Sequence, residues 1–301
     1  MYEHQHRFLS GLRTNFRSSE FVVTYPMPHG VRTKEDGTLL PLFASACVIF
    51  LLSHCSQQQL DDEATGHRDD LPALADLGTE AFRDDNLQTI LFPPEAVANG
   101  SLRRSINLRI RKRLVEAGTH CYVSMSDEDD EFWSGTPELL GYAFWTRVGK
   151  SEAAKKWQTD TLFSSTISPT FYLVNPLIIK TELERTLIGA EMWYSEYFLD
   201  RDRPWDKIHY MRNLSIDHFG SIPEYLELAA LAVHPKFHRR GIGGMMLRYG
   251  IDLAQKEQVP LVLEASRAGT LLYTKNGFRE TGRTEMFPEV IVVAMQLDPK
   301  I

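Results

Sequence analysis

The most informative stretch of the sequence is YLELAALAVHPKFHRRGIGGMMLRYGIDLAQ, residues 225–255. It consists of an apolar run typical of a strand, a turn opened by His234 and Pro235, a basic loop containing glycine, and the pattern of an amphipathic helix. Glycines at the start of that helix allow the backbone to approach a bound phosphate, and the free N–H groups of a first helical turn point towards it. The stretch therefore predicts an anion site at the helix N-terminus.

Two neighbouring arginines and the absence of two known phosphate-binding motifs indicate which anion this helix start would bind. Arg239 and Arg240 place positive charge where a pyrophosphate would lie. Neither the G-x-G-x-x-G pattern of dinucleotide-binding folds nor the G-x-x-x-x-G-K-[ST] pattern of P-loops is present. No acidic residue stands where it would bind a ribose, so a nucleotide-binding regulatory domain is disfavoured.

A second stretch, LVLEASRAGTLLYTKNGFRETG at residues 261–282, follows in the chain. Together the two stretches resemble motifs A and B of the GNAT superfamily of acetyl-CoA-dependent N-acetyltransferases. The motif A pattern Q/R-x-x-G-x-G/A maps onto His238, Gly241 and Gly243, and His238 departs from the usual Gln or Arg. The motif B signature L-Y-x-x-x-G-F maps onto Leu272, Tyr273, Gly277 and Phe278.

This resemblance implies an α/β (α+β) fold with a mixed, mostly antiparallel central sheet and helices on both faces. The sheet would be splayed at a bulge in strand Tyr225–Val233, with acetyl-CoA in the opening. Backbone groups of Leu231, Ala232 and Val233 would contact the acetyl carbonyl and the pantetheine arm, which requires no particular side chain. The pyrophosphate would be bound by His238, Arg239, Arg240, Gly241, Ile242, Gly243 and Gly244.

Direct transfer to an amine requires an acid and a base, because the amine must lose a proton and the leaving thiolate gains one. Tyr273 matches the tyrosine that serves as general acid in many superfamily members. Glu227 is the candidate base. Strand alternation places it on the side of Ala229, Leu231 and Val233, at the position of the catalytic glutamate of the histone-acetylating members. An ion pair with a neighbouring helix, or a water chain replacing Glu227, remains an alternative.

The remaining pattern predicts the order of elements. Helices are expected from Asp70 to Phe82, around Leu102–Leu114, over Glu152–Gln158, Thr181–Phe198, Ile242–Gln258 and Gly269–Asn276. Strands are expected at His120–Met125, Leu139–Arg147, Tyr225–Val233, Leu261–Ala265 and Val290–Leu297. The arginines near residues 103–113 are interpreted as a solvated helix face.

The domain organisation follows from where the resemblance ends. Residues 1–66 are expected to form an N-terminal extension, partly disordered or loosely packed, and residues 67–301 the acetyltransferase domain with an insertion at 150–223. The aromatic-rich insertion would line the acceptor pocket. The apolar run Thr38–Ser53 is too short for a confident membrane span, so membrane attachment is not expected.

Composition sets limits on function. A net charge of -7 argues against nucleic-acid binding, and the histidines and three cysteines show no metal-ligand spacing, so no metal is expected. An odd cysteine count favours a reducing compartment, cytoplasmic or alternatively nuclear. The oligomeric state is left open.

The sequence thus predicts an N-acetyltransferase acting on a small-molecule amine, ahead of a protein lysine or N-terminus. A non-catalytic module that binds CoA or acyl-CoA is the alternative, for which Tyr273 and Glu227 would be unnecessary.

Overall fold

A computed structural model describes residues 70–160, 176–214, 216–288 and 290–300. The N-terminal extension 1–66 and the apolar run 38–53 lie outside the described residues, as does part of the predicted insertion. No helix in the described ranges is both long enough and apolar enough to cross a bilayer.

From Tyr225 onwards strands and helices follow in the expected order, with one additional strand, Arg279–Phe287, that was not expected. The helices are α1 (Leu71–Phe82), α2 (Asn86–Leu91), α3 (Pro94–Ala98), α4 (Ser101–Leu114), α5 (Glu152–Asp160), α6 (Pro176–Tyr194), α7 (Trp205–Asn213), α8 (Ile242–Glu257) and α9 (Thr270–Lys275). The strands are β1 (Thr119–Met125), β2 (Leu139–Val148), β3 (Tyr225–Val233), β4 (Leu261–Ala265), β5 (Arg279–Phe287) and β6 (Val290–Leu297). A π-helical turn, Ser195–Leu199, follows α6.

The strands form one sheet in the order β1-β2-β3-β4-β6-β5. Only β3 and β4 pair in parallel, and the other four pairings are antiparallel. Successive β2 residues point to opposite faces, so Trp145 joins the apolar cluster under α8 while Phe144 joins the cluster under α1 and α4. The predicted mixed, mostly antiparallel sheet with helices on both faces is confirmed.

A bulge interrupts β3 at its centre. Phe144 pairs with Ala230 and the next residue, Trp145, pairs with Leu228, so Ala229 is an extra residue on β3. β3 also pairs with β4 only through Leu226–Leu228. Beyond the bulge the two parallel strands diverge, which opens the sheet between the C-terminal half of β3 and the end of β4.

Four elements were not predicted, for different reasons. α2 and α3 have six and five residues, too few to show a helical period. β5 is an edge strand in which none of the residues before Met286 is buried, so its sequence lacks the apolar alternation that marks a half-buried strand. α7 falls in the segment expected to have structure of its own, but its weak apolar periodicity did not identify it.

Packing between α8 and the sheet depends on a glycine in the middle of the helix. Trp145 is fully buried, and a Cβ atom at Gly250 would lie 2.0 to 2.5 Å from three carbons of its ring. A ring fixed inside the core cannot move away cheaply. Gly250 therefore allows α8 to lie directly on Trp145.

We predict that Gly250→Ala destabilises the protein although alanine is the better helix former, since overpacking typically costs about 1–3 kcal/mol. Gly244→Ala in the same helix is the matched control, because its Cβ would meet nothing closer than 3.9 Å. Urea unfolding of both variants provides the measurement. A Gly250→Ala variant as stable as Gly244→Ala would contradict the packing described.

Candidate active site

Two hydrogen bonds hold the loop between β3 and α8 against the sheet. The backbone N–H of His234 donates to the Leu140 carbonyl at 2.9 Å, and His238 Nε2 lies 2.9 Å from the Val233 carbonyl oxygen. Pro235–Phe237 forms one 3-10 turn between them. The side chain of His238 thus closes the loop onto the end of β3. The sequence did not indicate this role, because motif A usually has Gln or Arg at this position.

The start of α8 has the conformation that the glycines were expected to provide. Gly241 is the N-cap residue with φ 84°, and a Cβ there would meet no atom within 4 Å. Arg239 also has a positive φ, 62°, which is uncommon for a residue with a side chain. The first turn of α8 is thereby left open on its N-terminal side.

Two exposed arginines border this helix start. The Arg240 guanidinium carbon lies 4.9 Å from the centre of the Phe132 ring. Among the described residues, neither Arg239 nor Arg240 forms an ion pair with a carboxylate. Both cations are available for an anion at the helix N-terminus.

The helix start, the end of β3 and α9 converge beside the opening in the sheet. A Cβ at Gly243 would lie 3.6 Å from Leu272 Cδ2, 3.8 Å from Val233 Cγ2 and 4.0 Å from Leu231 Cδ2. The start of α8, where the pyrophosphate is expected, is therefore close to two other elements. These are the end of β3, where the pantetheine arm is expected, and α9, which carries motif B.

Tyr273 lies on α9 and is buried in the cluster under α8. Its ring packs edge-on against Phe278 at 5.8 Å, and a Cβ at Gly269 would lie 2.9 Å from its Cε2. Burial raises the pKa of Tyr273 to about 12, so the hydroxyl keeps its proton at neutral pH. Within the described part of the chain this hydroxyl makes no hydrogen bond. Tyr273 therefore lacks the hydrogen-bond partner that a buried tyrosine usually has.

The side expected for Glu227 is right with respect to Ala229 but wrong with respect to Leu231 and Val233. Leu231 and Val233 pack with Leu228 in the cluster under α8, whereas Ala232 packs in the cluster under α1 and α4. The extra residue Ala229 reverses the alternation, because a one-residue insertion exchanges the two faces. Glu227, which precedes the bulge, therefore points to the face opposite Leu231 and Val233.

Glu227 has the environment of a potential base. It is partly buried, and among the described residues it forms neither an ion pair nor a hydrogen bond. Burial, together with the negative charge of Glu264, raises the pKa of its carboxyl to about 7, against a smaller opposing effect of Arg113. The ion pair with a neighbouring helix that the sequence left open is not present in the described structure.

Arg113 has a position that the sequence did not indicate. Instead of lying on a solvated face, it is half-buried, and its Nη2 donates to the carbonyl of Ala229 at 3.1 Å. The charge run around it gave no sign of this contact, because a bulge has no side-chain signature of its own. Arg113 thus links α4 to the bulge that opens the sheet.

A shallow pocket lies on the predicted insertion. Its lining residues are Glu196, Tyr197, Arg201, Trp205 and His209. Trp205 also packs against the apolar cluster that Ala229 and Ala230 contact. In the ranges that the structure describes, no three His, Cys, Asp or Glu side chains are grouped to hold a metal ion.

Comparison with known proteins matches the central segment of this site. Residues 205–280 match the family model for an acetyltransferase (GNAT) domain. A curated relative from Ajellomyces capsulatus, named "Probable acyltransferase SID5", is 48% identical over 42 residues. That match covers 14% of this chain and 31% of the relative, so the chain matches under a third of the relative's length.

Two solved structures show more distant likeness. A histone acetyltransferase HPA2 and related acetyltransferase from Corynebacterium glutamicum is 18% identical, with coverage of 79% and 95% of the two chains and a TM-score of 0.44. The ribosomal-protein-S18-alanine N-acetyltransferase of Escherichia coli is 28% identical over 26% of this chain and 56% of that chain, with a TM-score of 0.23. The domain match confirms the predicted resemblance to the GNAT superfamily over residues 205–280.

We predict that Glu227→Gln raises the melting temperature at pH 8 and that this gain shrinks towards pH 5. A carboxyl whose pKa rises to about 7 on folding holds its proton in the native state while the unfolded chain has lost it, so stability falls as pH rises from about 4.5 to 7. A glutamine at this position does not ionise, so the variant does not lose stability over this pH range. Glu280→Gln, an exposed control on β5 whose carboxyl pKa is lowered by Arg283, should show no such gain. Thermal unfolding at pH 5, 6.5 and 8 tests this, and a pH-independent difference would contradict it.

Proposed function

We propose that this chain, whose residues 205–280 match the GNAT acetyltransferase domain, transfers an acetyl group from acetyl-CoA to an amine by direct attack. The observation that carries the proposal is the opening between β3 and β4 beside the glycine-rich start of α8. The opening offers backbone groups to an acyl carbonyl, and the helix start offers an anion site to a pyrophosphate.

The residues at this opening fit acetyl-CoA. A phosphate would approach Gly241, Ile242, Gly243 and Gly244 from the open side of the first turn, and a Cβ at Gly241 would point into empty space. Arg239 and Arg240 supply charge, and His238 holds the loop against β3. The backbone of Leu231, Ala232 and Val233 lines the edge of β3 that β4 leaves free. Acetyl-CoA supplies the activated thioester.

The proposed acid and base act from the two sides of the splayed sheet. Glu227 takes the proton of the attacking amine, a role for which a pKa of about 7 suits neutral conditions. Tyr273, protonated and without a hydrogen-bond partner among the described residues, gives its proton to the departing thiolate. The amine and the acetyl group would meet at the opening between β3 and β4, between the faces on which the two side chains lie.

The acceptor is proposed to be a small-molecule amine, ahead of a protein lysine or N-terminus. Tyr197 and Trp205 provide aromatic faces in the pocket of the insertion, and aromatic faces attract ammonium groups. The domain is proposed to span residues 67–301, with 1–66 as an extension and 150–223 as the insertion that carries this pocket.

A non-catalytic CoA-binding module is the second candidate. Such a module would need the glycine-rich start of α8 to bind CoA. It would not need a partly buried, unpaired carboxyl at Glu227 or a hydroxyl without a hydrogen bond at Tyr273. Incubation of the full chain with acetyl-CoA and a panel of amines, followed by release of free thiol, separates the two. Binding of acetyl-CoA with no amine-dependent thiol release across the panel would favour the module.

We predict that Gly241→Ala weakens acetyl-CoA binding, because both the added methyl and the strain at φ 84° disturb the phosphate site. Gly100→Ala is the matched control. Gly100 is the N-cap of α4 with φ 81°, and a Cβ there also meets no atom within 4 Å. Both variants should lose about 1 kcal/mol of stability. Calorimetry should show lost affinity in Gly241→Ala alone; equal affinities would remove the phosphate assignment.

We also predict that Tyr273→Phe lowers kcat by on the order of 10²–10⁴-fold while acetyl-CoA affinity stays near wild type. Phenylalanine keeps the ring and its packing against Phe278 and removes only the proton donor. Steady-state kinetics with separate calorimetry provides the measurement. Full turnover in Tyr273→Phe would mean that water or another residue protonates the thiolate.

A further inference from the structure

His218 is held on the sheet by both of its ring nitrogens. Nδ1 lies 2.9 Å from Glu264 Oε1 on β4, and Nε2 lies 2.9 Å from Thr284 Oγ1 on β5. A Cβ at Gly282 would lie 3.1 Å from His218 Cδ2, so the glycine makes room for the ring. The neighbouring Phe219 is buried and fixes the backbone beside it. The imidazole is therefore clamped across two strands.

Glu264, which His218 contacts, lies at the open end of the β3–β4 pair. Glu227 pairs in register with Val262, so Glu264, two residues further along β4, shares the sheet face of Val262 and Glu227. β3 has already diverged at that level, and the Glu264 side chain is about one-third exposed. Without a clamp, such a side chain would extend into water, where its charge would be screened.

Three charged groups influence the pKa of Glu227, and a fourth group, His218, contacts one of them. Arg113 of α4 and Glu116 just after α4 oppose each other, and Glu264 of β4 is the charge with the largest effect on its pKa. His218 contacts Glu264 from the segment that precedes β3. Among these, His218 is the group that fixes the position of the most influential charge.

We propose that His218 is a positioning residue, which holds the Glu264 carboxylate on the sheet face that carries Glu227 and thereby affects how readily Glu227 accepts a proton. The role rests on the proposed function, in which Glu227 is the base. It assigns Glu264 no contact with substrate. A clamp that merely fastened the 216–222 segment to the sheet would affect stability and leave the titration of Glu227 unchanged.

The test is a titration of glutamate-labelled full-length protein by carboxyl ¹³C NMR, with the Glu227 resonance assigned by its loss in Glu227→Gln. Glu264→Gln keeps the size of the side chain and an acceptor for His218 but removes the charge. The midpoint of Glu227 should fall by on the order of one pH unit, because a nearby negative charge no longer opposes ionisation. His218→Ala, or His218→Gln if the alanine variant does not fold, should shift the midpoint in the same direction.

A double variant tests whether His218 acts through Glu264. In the Glu264→Gln background, His218→Ala should add no further shift, since the charge that it positions is gone. Glu280→Gln, the exposed carboxylate on β5, should leave the midpoint in place. An unchanged midpoint in Glu264→Gln, or a shift in Glu264→Gln that neither His218 variant reproduces, would overturn the proposal.

The same variants separate this proposal from the proposed function. In an active enzyme the acid limb of the kcat/KM profile should move to lower pH with the NMR midpoint. If the midpoint moves but the protein transfers no acetyl group, the positioning by His218 stands and the acetyltransferase proposal fails.

Discussion

One extra residue in β3 determines the layout of the site. Ala229 forces the strand to bulge against β2, and β3 separates from β4 directly after Leu228. The bulge also exchanges the faces of the strand, which places Glu227 and Leu231 on opposite sides of the sheet. Arg113 donates a hydrogen bond to the carbonyl of Ala229, the residue that has no partner in the pairing of β2 with β3. The opening between β3 and β4 and the separation of the proposed acid from the proposed base both depend on this distortion.

The sequence predicted the elements whose side chains repeat with a clear period, and the glycine geometry at Gly241. It could not predict the side on which Glu227 lies, because alternation assumes an unbroken ladder and an alanine-rich strand carries no mark of where it bulges. The sequence also assigned Arg113 to a solvated face. Its partner is the backbone carbonyl of Ala229 at the bulge, and no side chain marks that position. The clamp of His218 joins residues 46 and 66 positions apart, and no local pattern signals such contacts.

The candidate base stands in a costly position. A carboxyl without a partner among the described residues lowers stability at neutral pH, and the carboxylate of Glu264 nearby increases that cost. Elsewhere the protein pairs its buried charges well: Arg147 binds Glu224 and Glu257, and Asp200 accepts hydrogen bonds from Ser101 and Arg104. The contrast between these satisfied pairs and the unpaired Glu227 is what a proton-transfer role would require.

We propose that the opening beside α8 binds acetyl-CoA. Thermal unfolding of the full chain with acetyl-CoA, ATP or NAD tests this binding directly, because a ligand that binds only the folded state raises the melting temperature. We expect a concentration-dependent rise in the melting temperature with acetyl-CoA and none with ATP or NAD. A rise with ATP and none with acetyl-CoA would contradict it.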